Sequence, residues 1–425
     1  MSAGRLPPFG GGGHHVGAPL AGVAGEGKVS APIRVASVGR LQNIGGDENR
    51  LLQTALAMDP ERVHQVVFII DPPEGLSVRE RERWASMRAQ YLSAGIEVVE
   101  MAPPRPGPDG ARNRVGLTPR LARELRTRRI DVVDARSGLP AVMSVAAARA
   151  AGVPVVTLTS YYTDWFEPPV RKLVGQAMFL RLDALISDAR ATLDDFDRWR
   201  WSGRAELALI QNGIRPADSA LSRSEARCVL GFPTDPDVTI VGQISRVMPR
   251  KGFDVFVRAA ALAGESDPAL HFAAIGFVSD DQRRHLDELL ELRDRLGMHD
   301  RLQFLSHPGP VGDAFRAVDV FAHLSRSDSS PIAIHEGMSQ GKPSVISALP
   351  GNLELVDDGV TGLLVPPGDH VAAAAAFTRL AGDPDLADRL GAGARRRQRE
   401  RHLPEPMAAT HLAPFERVLA GGRRC

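Results

Sequence analysis

The stretch VTIVGQISRVMPRKGFDVFVRAAALAGESDPALHFAAIG, residues 238–276, decides the fold of its half of the chain. VTIVGQI and LHFAAIG are short apolar runs of the kind that form buried strands, and FDVFVRAAALAG between them reads as a helix. A strand, a helix and a second strand in this order predict a right-handed crossover between two parallel strands.

The same alternation continues on both sides of this stretch. Downstream, LQFLS, DVFAHLS, PSVIS and TGLLVPP read as strands, and upstream, from Ile33, so do IRVASVG, VHQVVFII, IEVVEM, IDVVDA and VPVVTLT. Helical segments separate the strands, which favours parallel sheets covered on both faces. The sequence therefore predicts the α/β class, with two Rossmann-like parallel-sheet domains facing a central cleft. Ligands of such sheets bind at the carboxyl ends of the strands.

The boundary between the two domains is expected at Gly213, where a polar stretch begins that runs to Pro236. A glycine-rich start with few large apolar residues predicts a tail without a core. The expected division is a disordered tail at 1–31, a first domain at 32–214, a second domain at 215–403, and a C-terminal helix at 404–425 that crosses back to the first domain.

Composition narrows the functional classes. With 43% hydrophobic and 24% charged residues, the chain has the composition of a soluble globular protein. Lys plus Arg (52) and Asp plus Glu (51) nearly cancel, so no overall field attracts nucleic acid. Two distant cysteines, Cys228 and Cys425, and the lack of a signal peptide or of an apolar run near the roughly 20 residues that span a bilayer favour a cytoplasmic protein.

Two acids, Asp328 and Glu336, bracket seven residues of sequence SSPIAIH. We expect Asp328 in the loop after a strand, Ser330 as the N-cap and Pro331 as the first helical residue. Glu336 then lies about 8 Å along the helix, where its carboxylate could accept two hydrogen bonds from the cis-diol of a ribose. The alternative is that Glu336 pairs with a neighbouring base and Asp328 is a turn residue.

Cations follow the strand VTIVGQI. Arg246 and Lys251 flank a turn that precedes a helix, so they could bind a phosphate or diphosphate beside the free amides of the helix N-terminus. They could equally be two solvated surface cations.

Glycines at two further strand ends could bring backbone close to a ligand. Gly351 and Asn352 belong to a tight turn that opens another helix, either a second anion-binding nest or an ordinary turn. Gly45 and Gly46 follow the first strand, although they lack the spacing of a complete dinucleotide-binding fingerprint.

The order of these segments resembles a known family. SRVMPRKG, the segment SSPIAIHEGMSQGKPSVIS with the preceding Asp328, and LPGNLELVDDGVTGLLVPPGD look like the C-terminal half of the family 4 (group 1) glycosyltransferases, which have the GT-B fold. IGGDENRLL and LDALISDARATLDDF resemble N-terminal landmarks of the same family, so the resemblance extends from about Ile33 to His402. The family transfers a sugar from a nucleotide donor with retention of configuration and needs no metal or other cofactor.

The resemblance implies a role for each matching residue. Glu336 would hold the ribose, Arg246 and Lys251 would neutralise the diphosphate leaving group, and Asp328 would lie beside the donor sugar. The remaining donor contacts would come from Ser329, Ser330, Ile332, Gly351 and Asn352 in the second domain and from Gly45 and Gly46 in the first.

Two positions depart from the family pattern. Asp328 is one methylene shorter than the commoner Glu, which leaves the donor sugar open. Where the family often has a His-x-His-like element after the fourth strand, this chain has Asp134 and Arg136. Arg136 either contacts the donor sugar or an anionic acceptor, or it pairs with Asp134.

The acceptor side is less defined. Tyr161, Tyr162 and Asp164, after a strand, are acceptor-site candidates, with a structural aromatic cluster as the alternative. The segment VRKLVGQAMFLR, residues 170–181, mixes basic and apolar residues, so peripheral membrane contact stays open beside core packing. The D-x-D triplets that begin at Asp195, 235 and 383 read as helix or turns rather than metal sites.

These observations predict a retaining, metal-independent glycosyltransferase that moves a sugar from a UDP- or GDP-sugar to a hydroxyl acceptor. Two alternatives are a nucleotide-sugar epimerase of the same fold and a sugar-nucleotide-binding protein without turnover.

Overall fold

A computed structural model describes residues 31–39, 45–70, 78–101, 116–136, 138–162, 169–199, 205–216, 218–278, 282–307 and 309–421. The predicted tail, apart from its last residue, and Asp164 lie outside these ranges. Residues from Pro32 onward form one compact unit.

The first half of this unit is built on a seven-stranded sheet of order β3-β2-β1-β4-β5-β6-β7, in which every neighbouring pair is parallel. Its strands are β1 (Ile33–Gly39), β2 (Val63–Ile69), β3 (Glu97–Glu100), β4 (Val132–Arg136), β5 (Val155–Thr159), β6 (Ala184–Ser187) and β7 (Glu206–Leu209). Its helices are α1 (Gly46–Ala57), α2 (Val78–Ser93), α3 (Leu117–Thr127), α4 (Leu139–Ala151), α5 (Pro169–Phe179) and α6 (Arg190–Trp199).

The second half repeats the plan with a six-stranded parallel sheet of order β10-β9-β8-β11-β12-β13. Its strands are β8 (Thr239–Ile244), β9 (Leu270–Ile275), β10 (Leu302–Leu305), β11 (Val320–His323), β12 (Ser344–Ser347) and β13 (Leu363–Val365). Its helices are α7 (Arg223–Leu230), α8 (Phe253–Ser266), α9 (Arg283–Arg295), α10 (Val311–Ala317), α11 (Ile332–Ser339), α12 (Pro350–Leu355), α13 (His370–Gly382) and α14 (Pro384–Arg401). The two parallel-sheet domains confirm the predicted fold class.

The strand order reverses at the same place in both sheets. In the first sheet β1 lies between β2 and β4, and in the second β8 lies between β9 and β11. Crossovers therefore leave on opposite faces on either side of β1 and of β8, which opens a crevice at the carboxyl ends of these strands. The predicted site residues lie at the end of β4 and in the segments that follow β1, β5, β8, β11 and β12.

Apolar packing explains why the strands read as continuous hydrophobic runs. Each sheet is covered on both faces, and in the second domain Phe256, Phe272 and Phe377 meet with ring centroids 6.0 to 6.3 Å apart beneath α8 and α13. Such tilted aromatic contacts add to the free energy gained by burying the rings.

Two local expectations differ from the structure. The polar stretch after Gly213 contains α7, which begins at a capping box between Ser222 and Glu225 that the sequence analysis overlooked. Helix α11 begins at Ile332, one residue later than predicted, because Pro331 keeps an extended ψ of 128° and is itself the N-cap. The Ser330 hydroxyl lies 3.3 Å from His335 Nε2 instead of capping the helix.

The chain crosses between the two sheets twice, at adjacent points. It leaves the first sheet at Gly213, where a Cβ atom would lie 2.1 Å from the Leu403 carbonyl oxygen. The Ile214 amide donates to the His402 carbonyl at 3.0 Å, so the outgoing and returning segments are hydrogen-bonded to each other.

The last helix, α15 (Pro404–Ala420), packs on the first sheet. Met407, Leu412 and Phe415 join a cluster of buried residues that includes Val35 of β1 and Val155 of β5. These are the contacts expected of a C-terminal helix that crosses back, while the domain limits at 214 and 403 stay a prediction.

Within the ranges given above, no helix has both the length and the apolar character needed to cross a bilayer.

Replacing Phe415 by Ala should destabilise the protein by about 3–5 kcal/mol, the usual cost of deleting a fully buried aromatic side chain. Phe415 is 0% exposed, and its loss would open a cavity between α15 and the first sheet. The measurement is the free energy of unfolding in urea. Val371→Ala, at a position 60% exposed on α13, is the control and should change it by less than about 0.5 kcal/mol; equal effects would contradict the packing of α15.

Candidate active site

A buried carboxylate forms the centre of the candidate site. Asp328 lies in the loop after β11 with its side chain 2% exposed. The Lys251 ammonium donates to its Oδ2 atom at 2.5 Å, and the Ser325 hydroxyl donates to the same atom at 2.9 Å. His323 Nε2 lies 3.0 Å from that oxygen.

The other carboxylate oxygen of Asp328 links the two domains. Arg250 donates to Oδ1 at 3.1 Å, and the Tyr162 hydroxyl, from the loop after β5, donates to it at 3.3 Å. Arg250 also donates to the Tyr162 hydroxyl at 3.1 Å and lies 4.9 Å from the centre of its ring. An acceptor-side candidate and a donor-side candidate therefore share one hydrogen-bonded cluster.

Neighbouring cations keep Asp328 ionised. Burial by itself would raise the pKa of this carboxyl, but Lys251, His323 and Arg250 hold the pKa well below its usual range. A carboxylate has about four lone-pair positions, and five groups already surround this one. Asp328 is therefore arranged to position the cations, and a sugar could reach it only by displacing one of these groups.

Glu336 occupies the second turn of α11 and is half-buried. Burial raises the pKa of its carboxyl to about 7, and the distant Arg83 lowers it only in part. Among the described residues, no hydrogen-bond donor is assigned to this carboxyl, so its oxygens are available to a ligand. No ion pair among the described residues joins Glu336 to a neighbouring base, although the charge of Arg83 acts on it, and the alternative pairing stays a prediction.

Two serines of the same loop are held by the first domain. The Ser329 hydroxyl donates to the Asp188 carboxylate, which follows β6, and the Asn212 side chain donates to the Ser330 carbonyl at 2.7 Å. Asn212 also donates to Asp188 at 2.9 Å. These contacts fix the loop through side chains and the Ser330 carbonyl. In the described part of the chain, the amides of Ser329 and Ser330 have no acceptor.

Burial raises the pKa of Asp188 to about 6, against the opposing charge of Arg50. Arg50 is itself buried and lies 3.5 Å from this carboxylate. The pKa of Asp188 thus depends on Arg50 of α1 and on the loop of the second domain, whose Ser329 hydroxyl donates to the Asp188 carboxylate.

The glycines predicted at the site make close backbone contacts. A Cβ on Gly351 would lie 1.5 Å from the Ser329 carbonyl oxygen, and one on Gly46 would lie 3.4 Å from Ile332 Cγ1. The amino ends of α1 and α11 therefore meet across the domains. Asn352 is 0% exposed and donates to the Ser347 carbonyl at 2.9 Å, so its amide group is used to shape the turn.

The amide of Gly45 is engaged within its own helix. It donates to the Glu48 carboxylate at 2.8 Å in a capping arrangement. Burial, and then the charge of Asp47, raise the pKa of Glu48 to about 7, while the charge of Arg246 from the second domain lowers it in part. Arg246 thus reaches the cleft edge of α1, and the Gly45 amide would have to leave Glu48 to bind a diphosphate.

Arg136 is part of a buried network at the end of β4. It lies 3.6 Å from the Asp134 carboxylate and 3.2 Å from that of Asp47, and it donates to the Tyr161 hydroxyl at 2.6 Å. His411 of α15 lies 3.5 Å from Asp134. The pairing of Arg136 with Asp134 is therefore present, and a contact with the donor sugar or an acceptor stays a prediction.

The residues of the site that were missed in the sequence analysis include Arg250, His323, Asp188 and Glu48. Arg250 is adjacent to Lys251 in a turn already selected for its cations, which was a usable signal. His323 ends a strand, and an inward-pointing strand-end histidine carries no distinctive pattern in a single sequence.

In the described part of the chain, no group of three or more His, Cys, Asp or Glu side chains is placed to hold a metal ion. Asp195 and Asp197 lie on α6, as expected for a helix face.

Replacing Asp328 by Asn should cost about 3–5 kcal/mol of stability, because Lys251 and Arg250 would lose the charge that compensates them. Since the folded-state pKa of Asp328 is lowered, its contribution is full above the unfolded pKa of about 3.9 and is lost as the pH falls through the folded value. The gap between wild type and variant should therefore narrow only below about pH 4. Urea unfolding at several pH values measures it.

The control for this experiment is Asp254→Asn. Asp254 pairs with Arg326 at the surface, and such exposed pairs contribute about 1 kcal/mol or less. A comparable loss in both variants would contradict the central role of Asp328.

The sequence of this chain matches the models of two protein families. The model described as "Glycosyl transferases group 1" matches residues 224–397, and the model described as "Glycosyltransferase Family 4" matches residues 44–218. Together the two matches cover most of the chain and correspond to its two sheets.

Curated relatives include two enzymes named D-inositol 3-phosphate glycosyltransferase. The one from Streptomyces griseus is 30% identical over 251 residues, covering 53% of this chain and 52% of its own length. The one from Nocardia farcinica is 36% identical over 235 residues, covering 53% of this chain and 51% of its own length. The match thus spans about half the length of these relatives.

Solved structures show the same fold at low identity. Anabaena HepE, in complex with UDP and glucose, has a TM-score of 0.76 at 20% identity and covers 91% of this chain and 100% of its own. Sucrose-phosphate synthase from Thermosynechococcus elongatus has a TM-score of 0.71 at 19% identity and covers 92% of this chain and 100% of its own. With both domains matched in sequence and in fold, the chain belongs to the group 1 glycosyltransferases, as its motifs suggested.

Proposed function

We propose that this protein transfers a sugar from a nucleoside-diphosphate sugar to a hydroxyl acceptor, with retention of anomeric configuration and without a metal. The observation that carries the proposal is the arrangement around α11. Its loop and helix hold the Glu336 carboxyl and, among the described residues, amides without acceptors, and Asp328 in that loop binds Lys251 from the turn after β8. Anabaena HepE is described in complexes with UDP and with UDP-glucose, which makes a UDP-sugar the preferred donor over a GDP-sugar.

The diphosphate is assigned to the amino end of α11. The amides of Ser329, Ser330 and Ile332 and the positive end of the helix would bind phosphate oxygens. Arg246 and Lys251 would neutralise the charge that grows on the leaving phosphate as the glycosidic bond breaks, which stabilises the transition state more than the bound donor. Lys251 uses one donor toward Asp328 and keeps two for the ligand.

The ribose is assigned to Glu336. As a carboxylate it can accept one hydrogen bond from each hydroxyl of the cis-diol. Burial raises the pKa of the free carboxyl to about 7, and the two donors of a bound ribose would favour its ionised form by replacing the water lost on burial.

A direct displacement on the same face of the sugar explains retention best. Asp328 is surrounded by donors that hold its lone pairs, so it is poorly placed to attack the anomeric carbon. The acceptor hydroxyl would attack that carbon as the bond to the diphosphate breaks, and the departing phosphate oxygen would take the hydroxyl proton. Asp328 and Arg250 would keep Lys251 aimed at the leaving group.

The acceptor is assigned to the first domain, near Tyr161, Tyr162 and Arg136. Since the curated relatives carry D-inositol 3-phosphate in their names, a phosphorylated polyol is the first acceptor to assay. We also infer a cytoplasmic location, which the exposed free thiol of Cys228 supports.

Glu336→Gln should weaken UDP binding by roughly 10- to 100-fold, the range expected for lost hydrogen bonds to a charged group. Because the Glu336 pKa is about 7, wild-type affinity should rise between about pH 6 and pH 8, whereas the variant should lack that component. Ionisation of the UDP phosphate affects both proteins equally and cancels in the comparison. Titration calorimetry provides the measurement.

The matched control is Glu265→Gln, at an exposed position on α8, which should bind UDP as the wild type does. Equal pH dependence in wild type and in the Glu336 variant would reject the ribose assignment.

Lys251→Ala should lower kcat by about 100-fold or more, as for other groups that stabilise developing charge, and it should also lower the melting temperature, because the buried Asp328 loses one of its compensating cations. Arg284→Ala, at a side chain 92% exposed, should leave kcat unchanged. The assay follows UDP release with candidate acceptors, and NMR of the product gives its anomeric configuration.

The same assay distinguishes the remaining alternatives. An inverted product would refute retention. Conversion of one UDP-sugar into another without an acceptor would indicate an epimerase, and binding without any UDP release would indicate a protein without turnover.

A further inference from the structure

Helix α5 presents an apolar face to solvent. Val170 is 76% exposed, Leu173 61%, Val174 38% and Leu180, just after the helix, 58%. With Ala177, also exposed, these residues recur at intervals of three and four and so form one continuous stripe, called here the α5 stripe. Apolar side chains scattered singly on a surface need no explanation, but a contiguous stripe marks an interaction site.

The α5 stripe is not a misplaced part of the core. The opposite side of the helix already packs inward, with Met178 and Phe179 4% and 3% exposed. Phe179 meets Phe196 of α6 edge to face at 5.7 Å. Helix α5 is thus anchored by one face and has a second apolar face that no described residue covers.

Positive charge lies on helix α5 itself and on the α3 side of the α5 stripe. Residues 169–182 contain Arg171, Lys172 and Arg181 and no acidic residue, and all three cations are exposed. The positive charge continues across the same face of the sheet. Helix α3 packs on α4 and α4 packs on α5, and the outer side of α3 carries exposed arginines at positions 120, 123 and 126. The acidic residues of α6 lie on the other side of α5 from α3.

We propose that the α5 stripe and its flanking cations dock this protein on an anionic lipid bilayer. Valine and leucine tips between basic side chains are the pattern of a helix that lies in the plane of the membrane interface. The apolar residues would enter the boundary between headgroups and acyl chains, and the cations of α5 and α3 would bind anionic headgroups. A protein partner would more commonly meet large aromatic anchors, and the exposed side of α5 has none.

Docking here would bring the bilayer close to the acceptor side of the cleft. Tyr162, which contacts Asp328 in the second domain, is eight residues before Val170. Eight residues span at most about 28 Å when fully extended, so the α5 stripe begins within that distance of the site. The inference stands on the surface alone and does not depend on the proposed transfer reaction.

The experiment is co-sedimentation of the full chain with vesicles of equal parts phosphatidylcholine and phosphatidylglycerol, compared with vesicles of phosphatidylcholine alone. Wild-type protein should bind the anionic vesicles, with binding that falls as salt is raised. Both Leu173→Ser/Leu180→Ser and Arg171→Glu/Lys172→Glu should reduce the partition coefficient more than about tenfold. Melting temperature and UDP binding without vesicles should match those of wild type, which shows that the variants are folded.

The charge-matched control lies on α14, where Arg396 and Arg399 are exposed beside a surface cavity of about 530 Å³. Arg396→Glu/Arg399→Glu makes the same change in net charge and should leave vesicle binding unchanged. Failure of the wild type to bind anionic vesicles would overturn the proposal, as would an equal loss in the α14 variant. The proposal would also be overturned if sedimentation showed that the α5 stripe holds a dimer and if substitutions in the stripe left vesicle binding unchanged.

Discussion

The buried carboxylate of Asp328 is the interaction on which the site depends. Taking this group out of water costs free energy that must be recovered from Lys251, Arg250 and His323, and those residues come from two different strand ends. The Lys251 ammonium is also buried, and Asp328 is the carboxylate that compensates its charge. The turn after β8 and the loop after β11 can therefore hold their places only together, which fixes the cations before any ligand arrives.

The two acids that bracket residues 329–335 have different surroundings. Asp328 is saturated with donors and keeps a low pKa, whereas Glu336, eight residues later, lacks assigned donors among the described residues and has a pKa of about 7. One acid balances the charge of the neighbouring cations, and the other is the carboxyl to which we assign the ribose. The two acids lie only eight residues apart because the loop after β11 leads directly into α11.

Much of this could be predicted from the sequence. The apolar runs that alternate with helical segments predicted both sheets, since strands buried on both faces must be continuously hydrophobic. The site loops followed from the strand ends. Contacts between distant segments could not be predicted. No local sequence pattern connects Tyr162 with Arg250, or Asp188 with Ser329, because these pairs form only after the two domains meet. The departure at Arg136 was visible and pairing with Asp134 was one of its predicted alternatives, but the contact with Asp47 depends on side-chain positions.

The paired crossing at Gly213 and Leu403 has a mechanical consequence. Two backbone segments that touch and share a hydrogen bond cannot slide past one another without breaking it, so a rotation about this point is the relative motion of the domains that would disturb the crossing least. Asn212, beside the crossing, holds the Ser330 carbonyl. The loop of Ser329 and Ser330, to which we assign the phosphates, thus lies next to the crossing, where such a rotation would displace its atoms least, whereas a displacement of Tyr162 would break its hydrogen bonds with Asp328 and Arg250.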